Sequence, residues 1–176
     1  MTIALDLGFN GTGLTKRPKP APYLPALDTL DRERHAAPPA VSIEVPGHYR
    51  PWFADHIVHE VSRLLALHAG WDGRRAKPIT RAAVEATVAT LFRIMDVQSA
   101  PAQFFPLVDG GIQIGWLANG DSIEIEIDAK GDPWVLATTA DGATVVEGEL
   151  TATSSETFTK LRNFLKILSG RIAAAH

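Results

Sequence analysis

The stretch from Ile112 to Asp128 reads IQIGWLANGDSIEIEID, and its pattern decides the fold. On both sides of Asn119 and Gly120, apolar residues alternate with polar or small ones, which is the spacing of two half-buried β-strands. An Asn-Gly pair suits a two-residue type I′ turn, because both turn positions need a positive φ. The stretch therefore predicts an antiparallel hairpin with its isoleucines on the inner face.

Two further glycine turns follow this hairpin, at Lys130-Gly131 and at Asp141-Gly142. The segments after them, 134–138 and 144–150, contain the β-branched and aromatic residues that are typical of strands. We therefore expect an antiparallel meander of four strands, or of five if residues 103–105 add one.

Helical periodicity flanks the predicted sheet on both sides. Apolar residues recur at helical spacing from residue 52 until the glycine at 70, and a second helix is expected after Thr80, ending before Pro101. The sequence TSSE at 153–156 matches a capping box, and apolar residues then recur every three or four positions over 158–172. We expect this last helix to pack on the sheet or on its copy in a dimer.

The prolines indicate how the chain is divided, since eight of the twelve lie within the first 51 residues. Residues 1–48 are predicted to be a Pro-rich extended arm, which either docks through its scattered apolar residues or stays disordered. Residues 49–176 are predicted to form a single α+β domain. Its expected order is an αα hairpin, the antiparallel meander and the C-terminal helix.

Composition excludes several classes of protein. There is no cysteine, so a disulfide framework, a thiolate zinc site and a cysteine nucleophile are excluded. The net charge of −3 gives no overall attraction to nucleic acid or to anionic lipid. The first residues lack a signal-peptide pattern, and no apolar run is long enough for a membrane span. We expect a cytoplasmic protein that binds neither nucleic acid nor membrane.

The distribution of charge is more informative than its sum, because residues 107–150 contain nine acidic residues and a single lysine. If the isoleucines of the hairpin face the core, Glu124, Glu126 and Asp128 share the opposite face of their strand, and Glu147 and Glu149 join them if the register allows. Such a surface favours a basic protein partner. The alternative is a solvated face that discourages aggregation.

Two glycine motifs predict structural turns, whose residues are Gly70, Asp72 and Gly73 in the first motif and Asp109, Gly110 and Gly111 in the second. Each motif has a tryptophan beside it. Trp71 and Trp116 either pack in the core or serve as exposed anchors for a protein partner.

No catalytic signature is recognisable in the chain. His56, His59 and Glu60 fall within about one helical turn, but their spacing is not the His-Glu-x-x-His pattern of zinc proteases, and surface side chains are the simpler interpretation. Glycine-rich phosphate loops and nucleophile elbows are missing as well. We therefore predict no catalytic residue, no metal site and no cofactor.

Three ordered motifs carry a resemblance to a known family: GWDGRRAKPI at 70–79, FPLVDGGIQIGW at 105–116 and IEIEI at 123–127. They resemble a family of small uncharacterised bacterial proteins whose members read GWDGxxAxP, then PxxDGG-hydrophobic-Q-hydrophobic-EW, then LEIEI. The match covers about residues 52–130, and Gly115 stands where the family often has glutamate. The resemblance implies a bacterial or phage-related cytosolic protein and brings no established activity.

These patterns support three hypotheses about function. The first is a non-catalytic protein-binding module that resembles an antitoxin, immunity protein or inhibitor and uses the acidic sheet face and the arm. The second is a homo-oligomeric structural or assembly subunit, such as a homodimer, with contacts made by the arm and the last helix. The third is an enzyme with a site near the Asp109-Gly110-Gly111 turn.

Overall fold

The computed structural model describes residues 5–7, 41–43 and 51–175, and the side chains from residue 53 onward. Most of the predicted arm, 1–48, lies outside these residues. The part that is described consists of β1 (Leu5–Leu7) and β2 (Val41–Ile43), which pair antiparallel as a separate two-stranded sheet. Strand β2 lies against the first helix.

A five-stranded antiparallel sheet is the centre of the fold, and its strands follow one another in chain order. Its members are β3 (Gln103–Pro106), β4 (Ile112–Ala118), β5 (Asp121–Ile127), β6 (Pro133–Thr138) and β7 (Thr144–Glu149). The predicted α+β class and antiparallel meander are confirmed, with residues 103–106 supplying the fifth strand. The turn between β4 and β5 has Asn119 and Gly120 at φ of 52° and 87°, as the type I′ prediction requires.

Three helices lie in the described part of the chain: α1 (Pro51–Leu65), α2 (Arg81–Ile94) and α3 (Ser155–Ala174). The two predicted N-terminal helices are confirmed, α1 ending five residues before Gly70. None of the described helices is long and apolar enough to cross a membrane.

One hydrophobic core lies between the helices and one face of the sheet. The isoleucines at 123, 125 and 127 are completely buried there, which stabilises the fold by roughly 1.5–3 kcal/mol for each side chain. Helix α3 buries Phe158, Leu161, Leu165 and Leu168 and packs on β4, β5, β7 and α2. Of the two predicted alternatives, packing on the sheet or on a copy of itself in a dimer, the structure shows packing on the sheet.

The predicted capping box at the start of α3 is wrong. The N-cap residue is Ser154, one position later, and no side chain caps the helix. The Ser154 hydroxyl instead accepts a hydrogen bond from the Thr151 backbone N–H at 3.1 Å, and Glu156 forms an ion pair with Lys160 at 2.8 Å. The hydroxyl groups of this segment close the preceding turn, so they do not bond the free N–H groups of the helix.

An ion pair between a buried carboxylate and an exposed arginine connects α3 to the central hairpin. Asp121, at the first position of β5, is 3% exposed and binds the Arg171 guanidinium in the last turn of α3. The same carboxylate accepts a hydrogen bond from the Ala140 backbone N–H at 2.8 Å. Buried carboxylates require such partners, and this one fixes α3 and the β6–β7 turn to the same hairpin.

Candidate functional site

The sheet has a second face, directed away from the helices, which we call the open face. Its acidic members are Glu124, Glu126, Glu147 and Glu149, and its large apolar members are Phe105, Leu117, Trp134 and Leu136. They alternate along their strands with the buried core residues, so they project together on the opposite side. The predicted alternation of β5 is therefore present, and the register places the β7 glutamates on the same face.

The strand register arranges these side chains in two rows across the sheet. In one row Trp134 of β6 lies between Glu126 of β5 and Glu149 of β7. In the neighbouring row Leu136 lies between Glu124 and Glu147. We call these sets the Trp134 row and the Leu136 row. Each consists of one apolar side chain with a carboxylate on either side.

The four glutamates of the open face have no ion-pair partner among residues 51–175. The ion pairs within that range are Glu60–Arg63, Glu85–Arg81, Glu156–Lys160 and Asp121–Arg171. Glu124 accepts one long hydrogen bond, 3.4 Å, from the Gln113 side-chain amide. The negative charge of the face is therefore not neutralised by the lysines and arginines of this range.

Large apolar side chains on the open face are accessible to solvent. The exposed fraction is 66% for Leu117, 47% for Phe105 and 38% for Trp134. The register distributes them over the face: Gln113 and Glu126 lie between Phe105 and Trp134 in one row, and Leu117 lies nearer the β4–β5 turn. Together with the glutamates, they form a surface that is both apolar and anionic.

A groove of about 920 Å³ opens at the Trp134 end of this face. Trp134 and Glu126 lie on its sheet side, while Leu107 and Val108 form an apolar wall beside them. Its lining also includes Asp109, Asp128, Asp132 and Glu149. The groove extends the mixed apolar and anionic character of the open face beyond the strands.

Three loops meet beside this groove, and Thr80 connects them. Its backbone N–H donates to the Gly110 carbonyl at 2.9 Å, and its hydroxyl donates to the Ala129 carbonyl at 2.8 Å. The Lys77 backbone N–H donates to the Val108 carbonyl, also at 2.9 Å. The loop at 70–80, the Asp109-Gly110-Gly111 turn and the Asp128–Asp132 turn are thus joined at one corner of the molecule.

Glycine is needed at two positions of this corner because the backbones approach closely. A Cβ atom on Gly110, whose φ is +95°, would lie 2.6 Å from the Pro78 carbonyl oxygen. A Cβ atom on Gly111 would lie 2.3 Å from the Ile127 carbonyl oxygen. Both distances are shorter than van der Waals contact, so any side chain would force the loops apart.

The aspartates of the corner use one carboxylate oxygen each to order their own turns. Asp72 accepts backbone hydrogen bonds from Arg74 at 2.8 Å and from Ala76 at 3.1 Å, and these lower its pKa. The backbone N–H groups of Asp132 and Lys130 likewise lower the pKa of Asp128. Asp109 accepts from the Gly111 backbone N–H at 2.9 Å.

Neither of the two tryptophans named from the sequence belongs to the strand positions of the open face. Trp116 is 2% exposed, on the core side of β4, and its indole N–H donates to the Ala100 carbonyl at 2.9 Å. The prediction that Trp116 is an exposed anchor is therefore wrong. Its side chain packs in the core, which was the other alternative. Trp71 is half-buried in the loop after α1 and donates to the Lys77 carbonyl at 3.3 Å.

The hypothesis of an enzyme site near the Asp109-Gly110-Gly111 turn would be supported if Asp109, Asp72 and His56 lined one pocket, but they line three. Asp109 lines the large groove, Asp72 lines a smaller neighbouring one with Arg74, and His56 lines a third beside β3. The His56 ring bonds the Ala102 carbonyl at 2.8 Å, and Glu60 is paired with Arg63. Within the described ranges, no group of three or more His, Asp or Glu side chains is arranged to hold a metal ion.

Comparisons with protein-family models, with curated proteins and with solved structures found no match to this chain. The resemblance to the small bacterial proteins therefore stays a prediction. The geometry and charge of the open face are the strongest indications of function that the chain offers.

Trp134, Phe105 and Leu136 were not identified as surface residues from the sequence. The signal that could have found them is the same alternation that oriented β5. In β6 both faces carry apolar side chains, so hydrophobicity alone does not distinguish the two sides. The pairing of Trp134 with Glu126 shows that the Trp134 side chain projects from the open face, because paired residues on neighbouring strands project to the same side of a sheet.

Proposed function

We propose that this chain is a non-catalytic protein-binding module whose open face holds a basic protein partner, in the manner of an antitoxin, an immunity protein or an inhibitor. One observation carries the proposal: four glutamates without an ion-pair partner in residues 51–175 stand among exposed apolar side chains. A surface of negative charge attracts a positively charged protein during encounter. The exposed apolar side chains then stabilise the complex, because they are buried in the interface.

Charge also argues for a different protein as the partner, in preference to a second copy of the chain. In a two-fold dimer, the same patch of each subunit faces its copy. Glutamates of the open face would then approach glutamates of the other open face, which is unfavourable. A homo-oligomeric subunit joined through other surfaces is the alternative, and light scattering with and without residues 1–48 tests it.

Binding is a better supported function than catalysis near the Asp109-Gly110-Gly111 turn. Asp109 and Asp72 both hold backbone N–H groups, which is a structural task. A general base needs a nucleophile or a second titratable group within reach, and His56 lines a different groove.

The experiment is affinity capture from the source cells with matched variants as bait. Glu124→Gln with Glu126→Gln removes two charges from the open face. Glu85→Gln with Glu156→Gln removes two charges from α2 and α3, on the other side of the sheet. We expect a basic protein to be retained by the wild type and the helix variant, and to be lost from the open-face variant.

Salt gives a second criterion, because electrostatic association weakens as ionic strength rises. The captured protein should elute as sodium chloride is increased, and it should have a high isoelectric point. Retention of the same proteins by all three baits would contradict the proposal.

A further inference from the structure

The repeated geometry of the open face indicates what kind of segment fits it. Residues directly opposite on antiparallel strands have Cβ atoms about 5 Å apart. Trp134 therefore has a carboxylate-bearing neighbour at about this distance on each side, Glu126 and Glu149. Leu136 is flanked in the same way by Glu124 and Glu147.

Lysine and arginine match such a row in two respects. Their aliphatic stems cover an apolar side chain while the charged head reaches a carboxylate beside it. Over Trp134 the cation is also attracted by the face of the indole ring, and this attraction is stronger for Trp than for other aromatic residues. A neutral or acidic side chain has no comparable partner in either row.

The spacing of the two rows selects the conformation of the partner. Trp134 and Leu136 are two residues apart on β6, which places the rows about 7 Å from each other. An extended chain places its side chains i and i+2 on one side at the same interval. Adjacent residues of an extended chain project to opposite sides, so only one of them can face the sheet.

We propose that the open face binds an extended basic segment of a protein partner, with arginine or lysine at positions i and i+2 in the Trp134 and Leu136 rows. The groove beside Trp134 gives this segment room to continue past the edge of the strands. This inference rests on the proposed function, and it adds the chemistry and the spacing of the recognised residues.

The test compares two synthetic peptides of equal composition and charge by calorimetric titration into the full chain. In Ac-Ser-Arg-Ser-Arg-Ser-amide the arginines are at i and i+2, whereas in Ac-Ser-Arg-Arg-Ser-Ser-amide they are adjacent. We expect the alternating peptide to bind about tenfold more tightly, since both of its guanidinium groups face the sheet.

Variants of the chain identify the surface that the peptide occupies. Glu126→Gln with Glu149→Gln should weaken binding of the alternating peptide about tenfold, and Glu85→Gln with Glu156→Gln should leave it unchanged. Trp134→Leu keeps an apolar side chain but loses the aromatic ring, so it should weaken binding several-fold. Trp134→Phe keeps a ring and should weaken binding less.

Equal affinity for the two peptides, or no detectable binding of either, would overturn the inference. So would binding that is indifferent to the loss of Glu126 and Glu149. The proposed function is judged separately, by whether Glu124→Gln with Glu126→Gln releases the captured protein. If the Glu124→Gln, Glu126→Gln variant loses the captured protein but the two peptides bind equally, the open face is still the binding surface and only the i, i+2 spacing is rejected.

Discussion

Thr80 makes three hydrogen bonds that tie local structure to distant segments. Its hydroxyl accepts from the Ala83 backbone N–H at 3.1 Å, which caps α2, and donates to the Ala129 carbonyl. Its backbone N–H donates to the Gly110 carbonyl. One residue thus starts a helix and holds two turns at the groove, which makes it the connecting residue of the corner.

Thr80→Ala should reduce the free energy of unfolding by about 1–3 kcal/mol, because it removes an N-cap and leaves the Ala129 carbonyl without its donor. Thr80→Ser keeps the hydroxyl and should cost less than about 1 kcal/mol. Urea unfolding followed by circular dichroism measures both values. Equal losses in the two variants would show that the hydroxyl has no special role.

Local patterns predicted the structure of the central hairpin well, because the choices there depended on neighbours in sequence. The alternation around Asn119 and Gly120 is of that kind, because strand period and turn conformation are both local properties. The meeting of the 70–80 loop with the Asp109-Gly110-Gly111 turn is not, since it depends on packing between distant segments. The direction of Trp134 depended on the register with β5 and was missed for the same reason.

At the scale of the elements, the start of α3 shows how several equivalent residues defeat a local rule. Thr151, Thr153, Ser154 and Ser155 all carry hydroxyls that can bond nearby backbone groups. The capping-box pattern predicted Thr153 as the N-cap, but the Ser154 hydroxyl accepts a hydrogen bond within the preceding turn. Glu156 forms an ion pair with Lys160, so it does not bond the backbone at the helix start. Such alternatives differ little in free energy, so sequence alone did not rank them.

Substitutions at this helix start separate the two arrangements. Ser154→Ala should cost roughly 0.5–1.5 kcal/mol, because the Thr151 N–H loses its acceptor. Thr153→Ala should change stability by less than about 0.5 kcal/mol. Chemical denaturation of the two variants measures the difference, and the opposite ranking would restore Thr153 as the cap.

At the scale of the whole molecule, several turns depend on ionised aspartates. Backbone N–H groups lower the pKa of Asp72 and Asp128, and the Thr139 hydroxyl lowers the pKa of Asp141. A carboxyl group with a lowered folded pKa stabilises the protein above its unfolded pKa, near 3.8. That contribution is lost as pH falls through the lower folded value.

We therefore expect the melting temperature to fall as pH decreases below about 4. In the triple variant Asp72→Asn, Asp128→Asn and Asp141→Asn, the amide oxygens still accept hydrogen bonds but do not titrate in this range. Its melting temperature should fall less steeply over the same pH interval. Thermal unfolding of both proteins in a series of acidic buffers measures the slopes, and parallel curves would assign the acid sensitivity to other groups.

The simple order of the sheet has a consequence for the chain as it leaves the ribosome. Each strand from β4 to β7 pairs with the one synthesised just before it, so the nascent meander closes through short loops at little entropic cost. Helix α3 is made only afterwards, although it covers β4, β5 and β7. Helix α2, which is made before the sheet, already contacts β4, β5 and β6. During that interval the part of the inner face that α3 covers is open to water and to neighbouring chains, and a chaperone would have most to protect there.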